Sequence, residues 1–301
     1  MFSNMVIVEI NSGLGNQMFQ YAAGKALAAK LNAELLLDVS WFKHADKAQT
    51  PRNFELTVYP SLEKYADEQV VNQFIRPSSV GVINRIKHRI NRAKPIHKQW
   101  AFVEPHFHFY PRFFEARNPV YISGYWQSEQ YFLPIANQIR DIFSIDISKE
   151  ETAIEMLQKI VASNCPVSMH VRRGDMVKNP EVAQVHGSCN IDYYKRCMLQ
   201  IEQRVDQPEY FVFSDDPAWC KENLQSNFPI HFVTGNDGSK AFLDIQLMRH
   251  CRHHIIANSS FSWWGAWLNA NPHKLVFAPI KWFNDSRNNT KDLIPSSWTR
   301  L

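Results

Sequence analysis

The sequence predicts an α/β protein with two doubly wound, Rossmann-like domains that face each other across a ligand cleft. Three observations support this fold class. The chain has 301 residues, which is too long for one ordinary core. Its N-terminal segment has the pattern of strand, helix and strand, which is one βαβ unit. From about residue 150 onward, short apolar runs alternate with helical stretches, as in a parallel sheet.

The first βαβ unit is the clearest part of the N-terminal half. Residues 5–10 are an apolar run rich in β-branched side chains and predict a buried parallel strand. Residues 16–32 are rich in Ala, Leu, Met and Lys and predict a helix, and residues 33–38 predict the next strand. Residues 40–120 are less regular. Residues 120–126 predict another strand, and the helical stretch after it is broken at Pro134.

The C-terminal half repeats the alternation of strand and helix. Its predicted strands are CPVSMHV, EYFVFS, IHFVT, HHIIAN and KLVFAPI, and the helices lie between them. The change of pattern puts a domain boundary between residues 145 and 165. We therefore assign residues 1–155 to an N-terminal domain and residues 156–301 to a C-terminal domain, with a cleft at the carboxyl ends of strands.

Composition excludes several classes of protein. The net charge of +4 is too small to indicate a nucleic-acid partner. The five cysteines are scattered without zinc-site spacing, which predicts reduced thiols in a cytosolic protein. The sequence predicts neither a signal peptide nor a transmembrane helix, because no apolar run is long enough.

The stretch HVRRGD, residues 170–175, follows a predicted strand. Guanidinium groups stay charged and offer fork-shaped donors to phosphate oxygens, and open α/β sheets place ligand groups at strand ends. Arg172 and Arg173 therefore fit two interpretations, a phosphate site or an ion pair with a carboxylate. Since adjacent residues face opposite ways, we expect one phosphate ligand and one structural pair.

Two further motifs also follow predicted strands. In FSDDP, Asp215 or Asp216 is suited to cap the next helix, or to accept hydrogen bonds from a ribose or a base. In NSSFSWWGAW, Ser259 or Ser260 is suited to cap a helix whose N-terminus would also attract phosphate. The tryptophans of this motif predict packing rather than a sugar platform.

Other motifs leave their roles open. The turn NSGLGNQ, residues 11–17, indicates only that the backbone approaches something closely. His253 and His254 face opposite ways on a strand, which argues against a shared metal, whereas His106 and His108 share one face. That pair fits a metal, acceptor hydroxyls or no ligand. Residues 84–98 predict a basic amphipathic helix, either a solvated surface or one that docks on an anionic membrane.

Five motifs in one order resemble the bacterial α-1,2-fucosyltransferases, glycosyltransferase family 11. They are GLGNQMFQYAAGKALA, GYWQSEQYF, HVRRGD, FSDDP and HHIIANSSFSWWGAWLN. The resemblance implies a GT-B fold with the acceptor on the N-terminal domain and GDP-fucose on the C-terminal domain. It implies an inverting enzyme that needs no metal or other cofactor. The enzyme would move L-fucose from GDP-β-L-fucose to the 2-hydroxyl of a terminal galactose, in a lactose-like, O-antigen or capsule-type oligosaccharide.

The resemblance also implies roles for individual residues. Arg172 would be the principal ligand of the β-phosphate, with Arg173 in support, and Asn16 lies in a loop near the donor–acceptor junction. We predict Arg172, Asp175 and Asn16 as catalytic. The other predicted donor-binding residues are His170, Arg173, Ser214, Asp215, Asp216, Asp244, Asn258, Ser259, Ser260 and Phe261. Of these, the three aspartates match positions tied to guanosine recognition or its support, and Ser259 and Ser260 match positions near the pyrophosphate.

The sequence does not decide which residue is the general base. Asp175 either accepts the proton of the galactose hydroxyl or aims the arginines, and Glu181 and His186 are alternatives. The competing functions are a transferase of another linkage or sugar nucleotide, and a nucleotide-sugar-binding module without turnover. We predict a cytoplasmic bacterial enzyme, peripheral at the inner membrane, with a lipid-linked acceptor and no nucleic-acid partner.

Overall fold

The computed structural model describes residues 4–43, 52–59, 64–75, 82–174, 184, 187–236, 238–285 and 287–301. The chain forms two compact units. The N-terminal unit is Met1–Ile142 with Asn289–Leu293, and the C-terminal unit is Phe143–Asn288 with Ile294–Leu301. The C-terminal unit begins before the division predicted after residue 155. The reason is that Phe143 packs on Trp264 and its carbonyl accepts a hydrogen bond from Gln246.

The N-terminal unit contains one parallel sheet. Its elements are β1 Met5–Glu9, α1 Leu14–Leu31, β2 Glu34–Asp38, β3 Lys64–Tyr65, α2 Glu68–Ile75, α3 Val82–Arg92, β4 Ala101–Val103, β5 Val120–Ser123 and α4 Ala136–Ile142. The strand order is β3-β2-β1-β5-β4. The chain therefore runs outward from β1 to β3, crosses to the opposite edge at β4 and returns to β5, which lies beside β1.

The C-terminal unit contains a second parallel sheet. Its elements are α5 Ile154–Ala162, β6 Pro166–Val171, α6 Ile191–Glu202, β7 Glu209–Ser214, α7 Pro217–Asn223, β8 Ile230–Phe232, α8 Phe242–His250, β9 His253–Ile255, α9 Ser260–Leu268, β10 Val276–Ala278 and β11 Thr299–Arg300. The strand order is β11-β10-β9-β6-β7-β8. This is the order of a dinucleotide-binding sheet, with its switch point at β6.

Burial explains why these segments form central strands. All six residues of β6 are buried, as expected for an apolar strand covered on both faces. Helix α1 buries most of its surface too, so its low polarity reflects a position inside the unit. The predicted α/β fold with two Rossmann-like units is confirmed, and the cleft between them stays a prediction. Within the described residues, no helix is both long and apolar enough to cross a membrane.

Candidate active site at the strand ends

Strand register brings the charged motifs of the C-terminal unit together. Strand β6 pairs with β7 so that Val171 lies beside Ser214, and the residues after each leave the sheet side by side. On its other side, β6 pairs with β9, with Met169 beside Ile255. The motifs HVRRGD, FSDDP and NSS therefore emerge at the carboxyl edge of three adjacent strands, where doubly wound sheets bind ligands.

Asp215 holds the turn that follows β6. Its Oδ2 lies 3.0 Å from Nη1 of Arg172, and its Oδ1 accepts a hydrogen bond of 2.8 Å from the backbone N–H of Arg173. A Cβ atom at Gly174 would lie 2.6 Å from the same carboxylate, so only glycine allows this approach. One carboxylate thus fixes both the arginine side chain and the backbone beside it.

Arg173 is held by a second carboxylate and by an aromatic ring. Its Nε lies 3.3 Å from Oδ2 of Asp216, and its guanidinium carbon lies 3.9 Å from the centre of the Trp219 ring. Asp216 also caps α7, because its Oδ1 accepts the N–H of Trp219. The hydroxyl of Ser214 accepts the N–H of Asp216 and orders this corner. The cation–π contact was missed from the sequence.

Both arginines are therefore ion-paired, where the sequence predicted one phosphate ligand and one structural pair. The formal charges of two arginines and two aspartates cancel. A guanidinium carries five N–H donors, so a single carboxylate orients it without using its full capacity. The pairs orient the arginines at the switch point, and their role toward phosphate remains a prediction.

His170 connects β6 with the first turn of α9. Its ring centre lies 5.6 Å from that of Phe261, and its Nδ1 has no hydrogen-bond partner among the described atoms. Burial, with a smaller contribution from Arg172, lowers the pKa of His170 to about 4. The imidazole is therefore neutral at physiological pH and can exchange hydrogen bonds without adding charge.

The start of α9 is built by capping, as the sequence allowed. The Ser259 hydroxyl accepts the N–H of Phe261, and Ser260 is the first helical residue. Asn258 is buried and donates to the carbonyls of Gly187 and Trp282 at 3.2 and 3.1 Å. Its amide nitrogen thus anchors two loops. The tryptophans of α9 are buried, which confirms their packing role.

The remaining predicted residues lie elsewhere. Asp244 lies on α8 and accepts a hydrogen bond of 2.7 Å from Asn236. Asn16 lies in the N-terminal unit, where its Oδ1 accepts a hydrogen bond from Gln127. The three candidates for the general base, Asp175, Glu181 and His186, lie outside the described residues.

Two buried glutamines on α1 fix the turn after β1, and sequence reasoning missed them. Gln17 donates to the carbonyls of Ser12 and Asn53 at 2.8 and 2.9 Å. Gln20 donates to the Asn11 side chain and accepts the Asn11 N–H. Both glutamines are completely buried. Polar residues three apart within an apolar helix were the available signal.

A carboxylate occupies the N-terminus of α1. Glu55 Oε2 accepts the N–H of Leu14 at 3.0 Å, where the cap residue Gly13 has no side chain to offer. Burial raises the pKa of Glu55, while the bond from Leu14 and the charge of Arg52 lower it. The N-terminus of α1, which could otherwise attract a phosphate, thus already carries the Glu55 carboxylate. The N-terminus of α9 differs, because it is capped by a neutral serine.

The two histidine pairs have different surroundings. His106 and His108 are stacked with ring centres 3.6 Å apart. His254 is buried between the Ser168 hydroxyl and the Asn269 amide, at 2.8 and 3.0 Å. Across the part of the chain that the structure describes, no three His, Cys, Asp or Glu residues are grouped so that they could hold a metal ion.

These features first define a class, an α/β protein of doubly wound type with charged side chains gathered at a switch point. The chain belongs to glycosyl transferase family 11, because the sequence model of that family matches residues 105–301. The prediction of a glycosyltransferase is confirmed.

The chain is 33% identical to Alpha-1,2-colitosyltransferase of Escherichia coli, and the alignment covers 99% of both proteins. It is 31% identical to the O-antigen biosynthesis glycosyltransferase WbnK of Escherichia coli, over 97% of this chain and 99% of that one. Among solved structures, the fucosyltransferase NodZ from Bradyrhizobium aligns with a TM-score of 0.48 and 14% identity, covering 88% and 93% of the two chains.

Proposed function

We propose that the protein is an inverting α-1,2-fucosyltransferase with a GT-B fold. It moves L-fucose from GDP-β-L-fucose to the 2-hydroxyl of a terminal galactose in an oligosaccharide. The observation that supports this most is the pair of oriented arginines at the switch point of the C-terminal unit, Arg172 against Asp215 and Arg173 against Asp216. The names of the relatives support the sugar class, since one is an α-1,2-colitosyltransferase and others are galactoside α-(1,2)-fucosyltransferases.

The arginines suit a reaction in which GDP leaves. As the bond between the sugar and GDP breaks, negative charge grows on the β-phosphate, and fixed donors must stabilise it. In our proposal Arg172 supplies the main contact, because Asp215 already aims its guanidinium. Arg173 and the N-terminus of α9 add further donors. These groups take the place of a metal ion in the proposed mechanism.

We retain Asp175 as the proposed general base, with Glu181 and His186 as alternatives. A base must accept the proton of the galactose 2-hydroxyl as its oxygen attacks the anomeric carbon. If Asp175 is the base, Asp175→Asn should abolish transfer and leave GDP affinity unchanged. If it aims the arginines, GDP affinity should fall in parallel. Calorimetric titration with GDP separates the two outcomes.

Colitose is the second candidate for the donor sugar, because the relative that matches 99% of the chain is a colitosyltransferase. Colitose is fucose without its 3-hydroxyl. A site that binds this hydroxyl rejects the deoxy sugar by about 10⁴-fold or more, whereas an apolar pocket discriminates far less. Measuring kcat/KM with GDP-fucose and GDP-colitose identifies the preferred donor.

We also propose that the acceptor is lipid-linked and that α3 contacts the inner face of the membrane. Ile86 and Ile90 share one side of α3 and are 53% and 58% exposed. Exposed Lys87 and Arg89 flank them. Residues 69–103 contain seven Lys or Arg residues and no acidic residue. A basic helix with an exposed apolar stripe suits an anionic lipid surface.

Vesicle co-sedimentation tests this contact. The protein should pellet with vesicles that contain anionic lipid and should not pellet with phosphatidylcholine alone. A variant with Arg85, Lys87, Arg89 and Arg92 changed to Gln should lose binding. A control changes four exposed basic residues of the C-terminal unit to Gln, namely Lys149, Lys195, Arg196 and Lys221. Equal binding by both variants would remove α3 from the proposal.

The central test is a GDP-release assay followed by linkage analysis of the product. GDP-fucose is offered with lactose and a panel of other galactosides, and with no acceptor as a control. Release that depends on a galactoside, with an α-1,2 product, is the expected result. Release without an acceptor would indicate hydrolysis, another linkage would indicate a related transferase, and binding without release would indicate a module without turnover.

A further inference from the structure

A strained turn follows β5 in the N-terminal unit and is held by a partly buried carboxylate. Trp126 has a φ of 54°, which is rare for a bulky residue and marks local strain. Glu104 accepts the N–H of Tyr125 at 2.7 Å and that of Trp126 at 3.1 Å. A Cβ atom at Gly124 would collide with the Glu104 side chain. The turn is therefore specified by both its glycine and its carboxylate partner.

The turn delivers Gln127 to the start of α1. Gln127 Nε2 donates a hydrogen bond of 2.7 Å to Oδ1 of Asn16. Gln127 is buried, with 6% of the residue exposed, yet its Oε1 has no hydrogen-bond partner among the described atoms. Buried polar atoms are nearly always satisfied, so this acceptor is available for a hydrogen bond from a ligand group. Asn16, which is partly exposed, lies next to it.

The location is also that of a ligand site. Asn16 follows β1 and Gln127 follows β5, and these two strands are parallel neighbours, so both residues lie at the carboxyl edge of the N-terminal sheet, where open α/β sheets bind ligands. Glu55 occupies the nearby N-terminus of α1, so a phosphate is disfavoured here. The exposed ring of Tyr125 lies on the same turn and offers an apolar surface of the kind that packs on sugars. The ligand that fits is neutral and rich in hydroxyls.

We propose that Gln127 and Asn16 bind a sugar hydroxyl, and that Glu104 positions the turn that carries Gln127. The hydroxyl donates to Gln127 Oε1, and an amide N–H of Asn16 donates to an oxygen of the same sugar. This inference rests on the proposed transferase function and adds a specificity determinant to it. The hydroxyl belongs either to the acceptor galactoside or to the sugar of the donor.

The competing explanation is that Gln127 only ties the turn to α1. A double-change cycle, in which the residue is changed in the protein and a hydroxyl is removed from the sugar, distinguishes sugar binding from this structural role. Wild type and Gln127→Leu are compared at kcat/KM with the full sugars, with mono-deoxy galactoside acceptors and with a 3-deoxy donor. Gln130→Leu is the matched control, because Gln130 is exposed on the same segment. Gln127→Glu keeps the acceptor oxygen and is included in case the leucine variant does not fold.

With the full sugars, Gln127→Leu should lower kcat/KM by about 10²-fold, because the sugar hydroxyl loses its buried partner. With one deoxy analogue, wild type and variant should agree within about threefold, because the partner of Gln127 is already missing. That analogue identifies the hydroxyl and shows whether donor or acceptor carries it. An equal loss with every sugar would overturn the subsite and leave a structural role. No transfer by wild type would instead refute the proposed function.

Glu104 is tested as a positioning residue. Glu104→Ala should reproduce the sugar-dependent loss of Gln127→Leu, and the double variant should lose no more than either single variant. Glu104→Gln keeps an oxygen for the two backbone N–H groups and should restore most of kcat/KM. GDP affinity should be unchanged in all three. If the losses of kcat/KM in Glu104→Ala and Gln127→Leu add fully in the double variant, the positioning role is contradicted. A value of kcat/KM in Glu104→Gln as low as in Glu104→Ala would also contradict it.

Discussion

Replacing Arg172 by alanine is the most direct test of the proposed mechanism. The side chain lies at the switch point of the C-terminal sheet, 3.0 Å from Asp215. Its removal takes away the proposed ligand of the β-phosphate and leaves Asp215 behind. The formal charge of the four-residue cluster then changes from zero to −1. Both effects act against an anionic leaving group.

The expected loss of activity is much larger than the loss of stability. Removing one preorganised donor to a developing oxyanion typically costs about 10²–10³ in kcat, or roughly 2.7–4 kcal/mol. Arg172 and Asp215 keep 26% of their side-chain surface exposed. An ion pair screened in this way stabilises a fold by about 1 kcal/mol or less. The variant should therefore fold normally while it transfers fucose slowly.

A double-mutant cycle adds the role of Asp215. Asp215→Asn keeps an oxygen for the N–H of Arg173 but loses the charge that aims Arg172. If aiming is its only role, the double variant Arg172→Ala with Asp215→Asn costs no more than Arg172→Ala alone. Initial rates of GDP release and calorimetric GDP titrations supply the numbers. Arg196→Ala on α6 is the control, because that arginine is exposed.

Three results would refute this reasoning. A value of kcat/KM within threefold of wild type in Arg172→Ala would remove the phosphate role. Fully additive losses in the cycle would show that Asp215 acts independently of Arg172, for example by contacting guanosine. A parallel fall of melting temperature and activity would assign the ion pair to the fold instead.

Three further predictions concern the pH dependence of stability, the hydrogen bonds of Gln17 and the effect of metal ions. Burial raises the pKa of Glu104 from 4.5 to about 7 against the bonds from Trp126 and Tyr125. The folded chain thus holds this proton more tightly, and urea titrations should show the free energy of unfolding fall by roughly 3 kcal/mol between pH 4.5 and 7, less so in Glu104→Gln. Gln17→Leu should destabilise the fold by about 3 kcal/mol in the same titrations, since it removes three hydrogen bonds between the buried Gln17 side chain and the backbone, each contributing about 1 kcal/mol. Dialysis against EDTA should leave GDP release unchanged, and a tenfold gain on adding Mg²⁺ or Mn²⁺ would contradict the metal-free mechanism.

Periodicity predicted the central strands because their apolar runs are covered on both faces. Strands β6, β7 and β9 and the motifs after them follow directly from that pattern. The pattern could not predict β3 or β11, which have two residues each and are held by pairing at a sheet edge. Short edge strands depend on their neighbours more than on their own sequence.

The candidate site was predicted only in part, because contacts between distant segments carry the rest. Motif order indicated Arg172 and Arg173, but their pairing with the aspartates depends on the register of β6 and β7. The sequence could not predict the roles of Gln127 and Glu104. Glu104 accepts hydrogen bonds from the backbone of the strained turn, and that turn brings Gln127 to Asn16, so both roles depend on contacts between distant segments. Glu55 caps a helix 41 residues earlier in the chain, which no local pattern reports.

The carboxylate of Glu55 at the start of α1 has a consequence for binding stoichiometry. Two units of similar architecture could in principle each hold a nucleotide, but one helix end already contains an internal anion. The chain should therefore bind one equivalent of GDP at saturation. Product inhibition by GDP should follow a single-site isotherm, because the carboxylate of Glu55 disfavours an anionic ligand in the N-terminal unit.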